Sequence, residues 1–298
     1  MMGEMEREGI ADRTTDYELI DAGQGRRLER FGPLTVDRPA PGADHPARAP
    51  ERWQNADASW DLDGGWLRTD GAGESTAAIE PWPLTIEGLT LELRPTSSGG
   101  IGLYPEHRAN IPWLEARIGE RLAAGSPPAV LNLFAHTGLA TLAAARAGAS
   151  VTHVDGARGV VAWARHNADL SGLAHRPIRW LVDDAAAFVA REGRRGRHYD
   201  GIVLDPPSFG RAKGRRWQLE DELPALLTAC RDIAADDAFV LLTAHTTGLD
   251  GADLDAMLRA AFPSPPARFD GAALALTAAS GARLDLGWSV RLDPRAAS

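Results

Sequence analysis

The chain has 298 residues, 44% hydrophobic and 24% charged, proportions of a globular protein with room for one full core and a smaller second one. Its formal net charge of −9 argues against a protein that coats nucleic acid non-specifically, though not against a local basic patch. A single cysteine, Cys230, excludes an internal disulfide and a cysteine-built zinc site; no apolar run approaches the roughly 20 residues that span a bilayer, and Glu4, Glu6 and Glu8 stand where a secretory leader is basic. The expectation is a cytoplasmic enzyme with no membrane partner and no metal.

Residues 1–13 are charged and aperiodic, the pattern of a disordered tail. Over 14–97 short apolar pieces are broken by Gly, Pro and Asp, as in Tyr17-Glu18-Leu19-Ile20, Trp66-Leu67-Arg68 and Leu89-Thr90-Leu91-Glu92-Leu93. The last alternates apolar and polar residues as a half-buried strand does. This stretch predicts a small β-rich accessory domain, with a Pro- and Ala-rich loop over 38–50. Thr96-Ser97-Ser98-Gly99-Gly100 marks its boundary. A helix is predicted over 105–124, with Ile111, Leu114, Ile118 and Leu122 on one side, Pro105 in its first turn and Gly125 at its stop.

From Ala129 onward strands alternate with helices. Strands are predicted over 129–134, 151–154, 178–182, 201–204 and 238–243, and helices over 138–147, 157–171, 184–193, 219–235 and 251–262. That order predicts an α/β domain over 98–298 on a parallel, doubly wound, Rossmann-like sheet. The end departs from it. Residues 268–277 and 283–292 are joined only by a turn around Gly281, which predicts a closing antiparallel hairpin and a seven-stranded sheet.

A doubly wound sheet binds its ligand outside the carboxyl ends of its strands. The first predicted strand runs into Asn132-Leu133-Phe134-Ala135-His136-Thr137-Gly138, where small residues such as Ala135 and Gly138 let a ligand approach the backbone. The second ends at Asp155, an acid that can accept two hydrogen bonds from a ribose diol and can equally cap the following helix. The third ends at Asp183-Asp184, one carboxylate suited to an adenine amino group and the other to a helix cap; Asp184 is the one assigned to adenine. The loop lacks G-x-G-x-x-G, which weighs against a nicotinamide dinucleotide.

The fourth strand delivers Asp205-Pro206-Pro207-Ser208-Phe209. Proline has a fixed φ and no N–H, so the pair holds the backbone rigid and leaves carbonyls free to accept from an exocyclic amine or ring nitrogen. Phe209 offers a flat face on which a base can stack.

With these residues in place, the segment 129–210 resembles the class I S-adenosylmethionine (SAM) dependent methyltransferases of the bacterial 23S rRNA large-subunit family. Members carry an Asn-x-Phe-x-Tyr-Thr-Gly loop and an Asp-Pro-Pro-(Lys/Ser/Thr)-Phe motif. The likeness extends over about 100–292, and the N-terminal β module resembles the small domain that precedes that catalytic domain. It implies SAM as cofactor, with Asn132, Phe134, Ala135, Thr137 and Gly138 lining its pocket. Asp155 would take the ribose, Asp183 and Asp184 the adenine end, and Asp205 with Pro206 and Pro207 the methionine end and the target. Phe209 would stack on the substrate.

Two departures bear on the chemistry. His136 stands where the family has Tyr and is given no role beyond pocket wall. Cytosine-C5 enzymes of the family need a cysteine nucleophile, and the segment Leu242-Thr243-Ala244-His245-Thr246-Thr247-Gly248 has none, while Cys230 sits in a predicted helix among leucines. Direct transfer to nitrogen or oxygen is therefore expected. His245, at a strand end, can orient or deprotonate a substrate, or bond a neighbouring loop.

Two basic groups, Arg191, Arg194, Arg195 and Arg197, then Arg211, Lys213, Arg215 and Arg216, flank the strand that delivers Asp205. They suit the phosphates of an RNA substrate and also suit solvated loops. The leading expectation is methylation of a base nitrogen in RNA, rRNA above all. A small-molecule or protein methyltransferase, or a catalytically silent SAM-binding module that holds RNA, would carry much the same sequence.

Overall fold

Alternating apolar and polar residues build the first of two compact units into which the chain divides, comprising the residues up to Ile101 together with Ala278–Ala282. The computed structural model describes residues 16–70, 73–75, 78–212, 215–246, 248–263 and 268–293; the tail expected over 1–13 lies outside them. In the first unit β1 (Tyr17–Gly23), β2 (Arg26–Phe31), β3 (Leu34–Pro39), β4 (Ala58–Asp61), β5 (Gly65–Asp70) and β6 (Gly73–Ser75) form one six-stranded sheet in chain order. All neighbours are antiparallel except β3 and β4. A four-residue helix, α1 (Pro50–Trp53), precedes β4.

β7 (Trp82–Ile86) and β8 (Leu89–Leu93) make a separate hairpin through a two-residue turn, Glu87 at φ 49° and Gly88 at φ 70°, the left-handed pair that a type I′ turn requires. Leu89, Leu91 and Leu93 are buried, as their alternation predicts. The loop after β3 is ordered by one carboxylate: Asp21 accepts from the amides of Arg48 and Ala49, the indole of Trp53 and the hydroxyl of Ser280.

The second unit, Gly102–Thr277 with the residues from Arg283, carries a seven-stranded sheet. Its order is β11 (Ile178–Val182), β10 (Ser150–Asp155), β9 (Ala129–Leu133), β12 (Tyr199–Leu204), β15 (Ala234–Ala244), β17 (Arg283–Asp293) and β16 (Arg268–Thr277). The first five are parallel; β17 runs antiparallel between β15 and β16. The doubly wound sheet with a closing hairpin is thus present, and its order reverses between β9 and β12, the place where such sheets bind ligands.

Alternate residues of these strands feed two cores, one on each face. Leu131, Leu133, Ile202, Leu204 and Val240 pack with α5 (Ala185–Arg194), α6 (Leu219–Asp232) and α7 (Gly251–Ala261). Val130, Val203, Phe239 and Leu241 pack with α2 (Ile111–Ala123) and α3 (Leu139–Arg146). α4 (Arg158–Leu170) joins β10 to β11. Cys230 is fully buried in the first of these cores, where burial pushes its thiol up to about 12.

Two features differ from expectation. The helix over 105–124 is interrupted: Pro105–Asn110 is a 3₁₀ turn, and α2 starts with Pro112 in its first turn. A proline inside one continuous helix would lack its N–H and press on the carbonyl four residues back, so each proline opens its own turn. After Asp205 there is also a hairpin that the predicted elements do not include; β13 (Phe209–Ala212) pairs with β14 (Arg215–Gln218), setting Gly210 against Trp217. Among the described residues no helix is long and apolar enough to cross a membrane.

Gly201 in β12 has no room for a side chain, since a Cβ there would lie 2.1 Å from the buried Phe239 ring. Gly201→Ala is expected to cost about 3 kcal/mol and to lower the melting temperature by at least about 5 °C in calorimetry; an unchanged melting curve would refute this packing.

Candidate active site

The loop after β9 sets the geometry of the carboxyl edge. Phe134 and His136 hold φ of 55° and 47°, and Gly138 holds φ of 96°, so the backbone turns through the left-handed region three times in five residues. Each non-glycine residue there costs about 1–2 kcal/mol, and the neighbours that hold the loop are visible. The Ala135 amide donates to the Val154 carbonyl (3.1 Å), and the His136 amide to Asp155 Oδ2 (3.0 Å). The Thr137 hydroxyl donates to the Gly102 carbonyl, and Asn167 Nδ2 to the Thr137 carbonyl (2.9 Å). Gly138 caps α3 where a Cβ would come within 3.2 Å of Ala164 Cβ. Beneath the loop, Asn132 donates to the Thr141 hydroxyl, which also bonds His153 Nδ1, each at 2.9 Å. Burial, helped by nearby His136, pushes His153 down to about 3, so it is neutral.

The acids at the next two strand ends are already engaged by backbone. Asp155 accepts from the His136 amide on one oxygen and the Ala157 amide (2.9 Å) on the other; each oxygen keeps a second lone pair for a ligand. Asp184 is the N-cap of α5, accepting from the Ala187 amide at 2.9 Å. Asp183 accepts from the Asp184 amide and pairs with Arg191. Both half-buried carboxylates line the cleft described next.

An open cleft of about 1590 Å³ runs along these strand ends, with Asp155, Asp183, Asp184 and Val182 on one side and Asp205, Pro206, Pro207, Gly210, Trp217 and His245 on the other. A small inner chamber adjoins it, lined in part by Asn132, Ala135, Thr137, Gly138 and His107. Tyr104, Phe134, His136 and Asp205 border both. The strand ends bring all the expected cofactor residues to one or other of these spaces. Phe209 is 68% exposed. Trp217, absent from the sequence expectations, donates its indole N–H to the Pro207 carbonyl (2.7 Å) and packs 5.3 Å from the Phe134 ring.

At Asp205 the structure gathers His245, a candidate from the sequence, with two residues the sequence reading passed over, His107 and Thr243. Asp205 Oδ1 accepts from the Thr243 hydroxyl (2.6 Å) and faces His245 Nε2 (3.4 Å); Oδ2 faces His107 Nε2 (3.2 Å). His245 Nδ1 lies 2.6 Å from the Leu286 carbonyl. Burial alone would raise the Asp205 carboxyl, but His107 and then His245 hold it well below the carboxylate range. For His245 burial is outweighed by Asp205, Glu106 and the Leu286 carbonyl, which raise it to about 9.

The basic groups separate. Arg194 and Arg195 close α5 and Arg197 precedes β12, so they stand at the amino ends of the strands, a helix length of roughly 15 Å from the Asp184 cap. There Arg176, Arg179, Arg197 and His198 border a shallow groove. Of the second group, Lys213 lies outside the described residues, as do the side chains of Arg211, Arg215 and Arg216.

Against this geometry, the profile of the S-adenosylmethionine-dependent methyltransferase family matches residues 53–230, more than half the chain. A crystal structure of a SAM-dependent methyltransferase from Agrobacterium tumefaciens is 36% identical, with a TM-score of 0.87 over 96% of this chain and 92% of that one. A ribosomal RNA large subunit methyltransferase K/L from Syntrophotalea carbinolica is 37% identical over 120 residues, 40% of this chain but 15% of that protein. At 15% identity, a structure complexed with SAH shares the fold, with a TM-score of 0.75 over 94% of this chain and 76% of that one.

The His245 charge has a pH signature. Its stabilisation is complete below about pH 6.5, where an unfolded histidine is also protonated, and is lost as pH rises through about 9. Between pH 6 and 10 the parent protein is expected to lose on the order of 2 kcal/mol more than His245→Asn in urea titrations, a value reduced for the ring's partial exposure. Equal losses would remove the ion pair from the folded state.

Proposed function

We propose that this chain, which belongs to the S-adenosylmethionine-dependent methyltransferases and takes that molecule as its cofactor, transfers the methyl group directly to an amino nitrogen of an RNA base, ribosomal RNA above all. The observation that carries this reading is a single thiol-free cleft that joins the cofactor loop and Asp155 to Asp205-Pro206-Pro207. The RNA part draws on the name of the curated relative and on the exposed Phe209 ring beside the motif.

The residues present fit the cofactor. The left-handed turns at Phe134, His136 and Gly138 fold the backbone around the inner space, and Asn132, Ala135 and Thr137 would line it against the cofactor. Asp155 retains lone pairs for a ribose diol, and Asp183 and Asp184 flank the space suited to adenine. When bound, SAM supplies an electrophilic methyl group on a sulfonium. Asp205 and the Pro206 carbonyl would accept N–H bonds from the target amine, and Phe209 would stack on its base. Trp217 already engages the Pro207 carbonyl, which stiffens the motif. No nucleophile is asked of the protein; rate comes from holding the amine in line with the methyl group. Residues 14–97 serve this reading as an accessory domain and 98–298 as the catalytic one.

Mass spectrometry of RNA nucleosides from a deletion strain is expected to lack one methylated amino-nucleoside present in its parent; an unchanged set would refute the RNA substrate. Asp155→Ala is expected to weaken S-adenosylhomocysteine binding about tenfold or more in calorimetry, since a ribose diol loses both its hydrogen bonds. Asp205→Ala is expected to slow methyl transfer to RNA from that strain by about 100-fold; full activity would remove Asp205 from the acceptor site.

A further inference from the structure

Asp205 is surrounded by more donors than the motif requires. A carboxylate offers about four lone-pair sites. Thr243 and His245 face Oδ1, and His107 faces Oδ2, which leaves one open site. The two imidazoles come from different elements, His107 from the 3₁₀ turn before the sheet and His245 from the end of β15. Their Nε2 atoms are 3.1 Å apart, so both nitrogens converge on the one carboxylate. Behind His245, buried Glu106 places Oε1 3.8 Å from Nδ1, and its other oxygen has no partner among the described residues. Two carboxylates of low exposure thus share one pocket with two imidazoles, and their charge has to be met by imidazole protons or by a cation. The Leu286 carbonyl 2.6 Å from His245 Nδ1 requires a proton on that nitrogen, so only a second proton, on Nε2, lets His245 donate to Asp205 as well.

We propose that His107 and His245 are positioning residues that clamp Asp205 as a permanent anion with a single open lone pair, so that it orients the acceptor nitrogen and does not take its proton. The inference rests on Asp205 being the acceptor end of the site. The proton shed by the methylated nitrogen then leaves to water in the open cleft, not to the protein. The charged or titratable groups facing Asp205 among the described residues are His107, His245 and, from the cofactor loop, His136, whose proton affinity burial lowers despite the opposing pull of Asp155 and Asp205. Glu106 acts at one remove, through His245. Removing His107 takes away the largest attraction opposing burial, so the Asp205 carboxyl moves upward.

Nitrogen-15 NMR of histidine-labelled, cofactor-free protein at pH 7 is expected to show hydrogen on Nε2 of both His107 and His245. A bare Nε2 on either ring overturns the clamp. So does stoichiometric binding of Zn²⁺ or Mn²⁺ in calorimetry that His107→Ala abolishes, because a cation would then stand where the protons are. With labelled SAM and RNA from the deletion strain, His107→Ala is expected to lower kcat by about 30-fold or more, with less effect on KM, and to shift the acid limb of the kcat/KM profile up by about one pH unit. His107→Gln, whose amide can donate to Oδ2, is expected to recover about tenfold of that loss; Gln no better than Ala overturns the proposal. If the parent protein leaves this RNA unmethylated, the RNA reading fails, and the NMR and metal titrations still decide the clamp.

Discussion

The left-handed backbone at Phe134, His136 and Gly138 is the constraint on which the site depends. Two of the three residues carry a Cβ, so the conformation persists only because partners on three sides over-determine it. One partner is Asp155, whose carboxylate spans the His136 amide and the start of α4. Loop and acid are therefore one device, and the carboxylate that suits a ribose is also a brace for the backbone that suits the rest of the ligand. A second partner is the Gly102 carbonyl, held by Thr137. Gly102 itself has φ of 85° and would put a Cβ 2.2 Å from the Trp163 ring, so only glycine serves there. That staple carries the following residues, Tyr104 and His107, to the carboxyl edge of the sheet, where both border the cleft or its inner chamber.

Much of this edge is legible from sequence because a parallel sheet concentrates its carboxyl ends. Asn132, Asp155, Asp183, Asp184 and Asp205 each follow or close a short apolar run, and knowing the sheet is parallel suffices to bring them together. The division of labour among them is a matter of angles that spacing does not record. Asp184 spends one oxygen on capping α5, and Asp183 is turned toward Arg191. Nor does the strand pattern reach His107, which lies before the first strand of the sheet, in a stretch whose apolar spacing reads as one helix. The break at Pro112 was the available signal, since proline opens a turn and does not extend one. Trp217 was hidden differently. Its strand is four residues long and rich in arginine, and only pairing across the hairpin sets it against Gly210 and within reach of the Pro207 carbonyl.

Charge is where linear proximity misleads most. Arg194, Arg195 and Arg197 precede Asp205 by 8 to 11 residues, yet a strand of six residues, roughly 20 Å, lies between. These arginines are also partly consumed by structure: buried Glu192 takes Arg195 and the Tyr199 hydroxyl, and Arg191 lies over the Phe188 ring while pairing with Asp183. The described lining of the cleft contains histidines, aromatic rings and carboxylates but no arginine. The described walls thus offer an amine and a ring short hydrogen bonds and stacking.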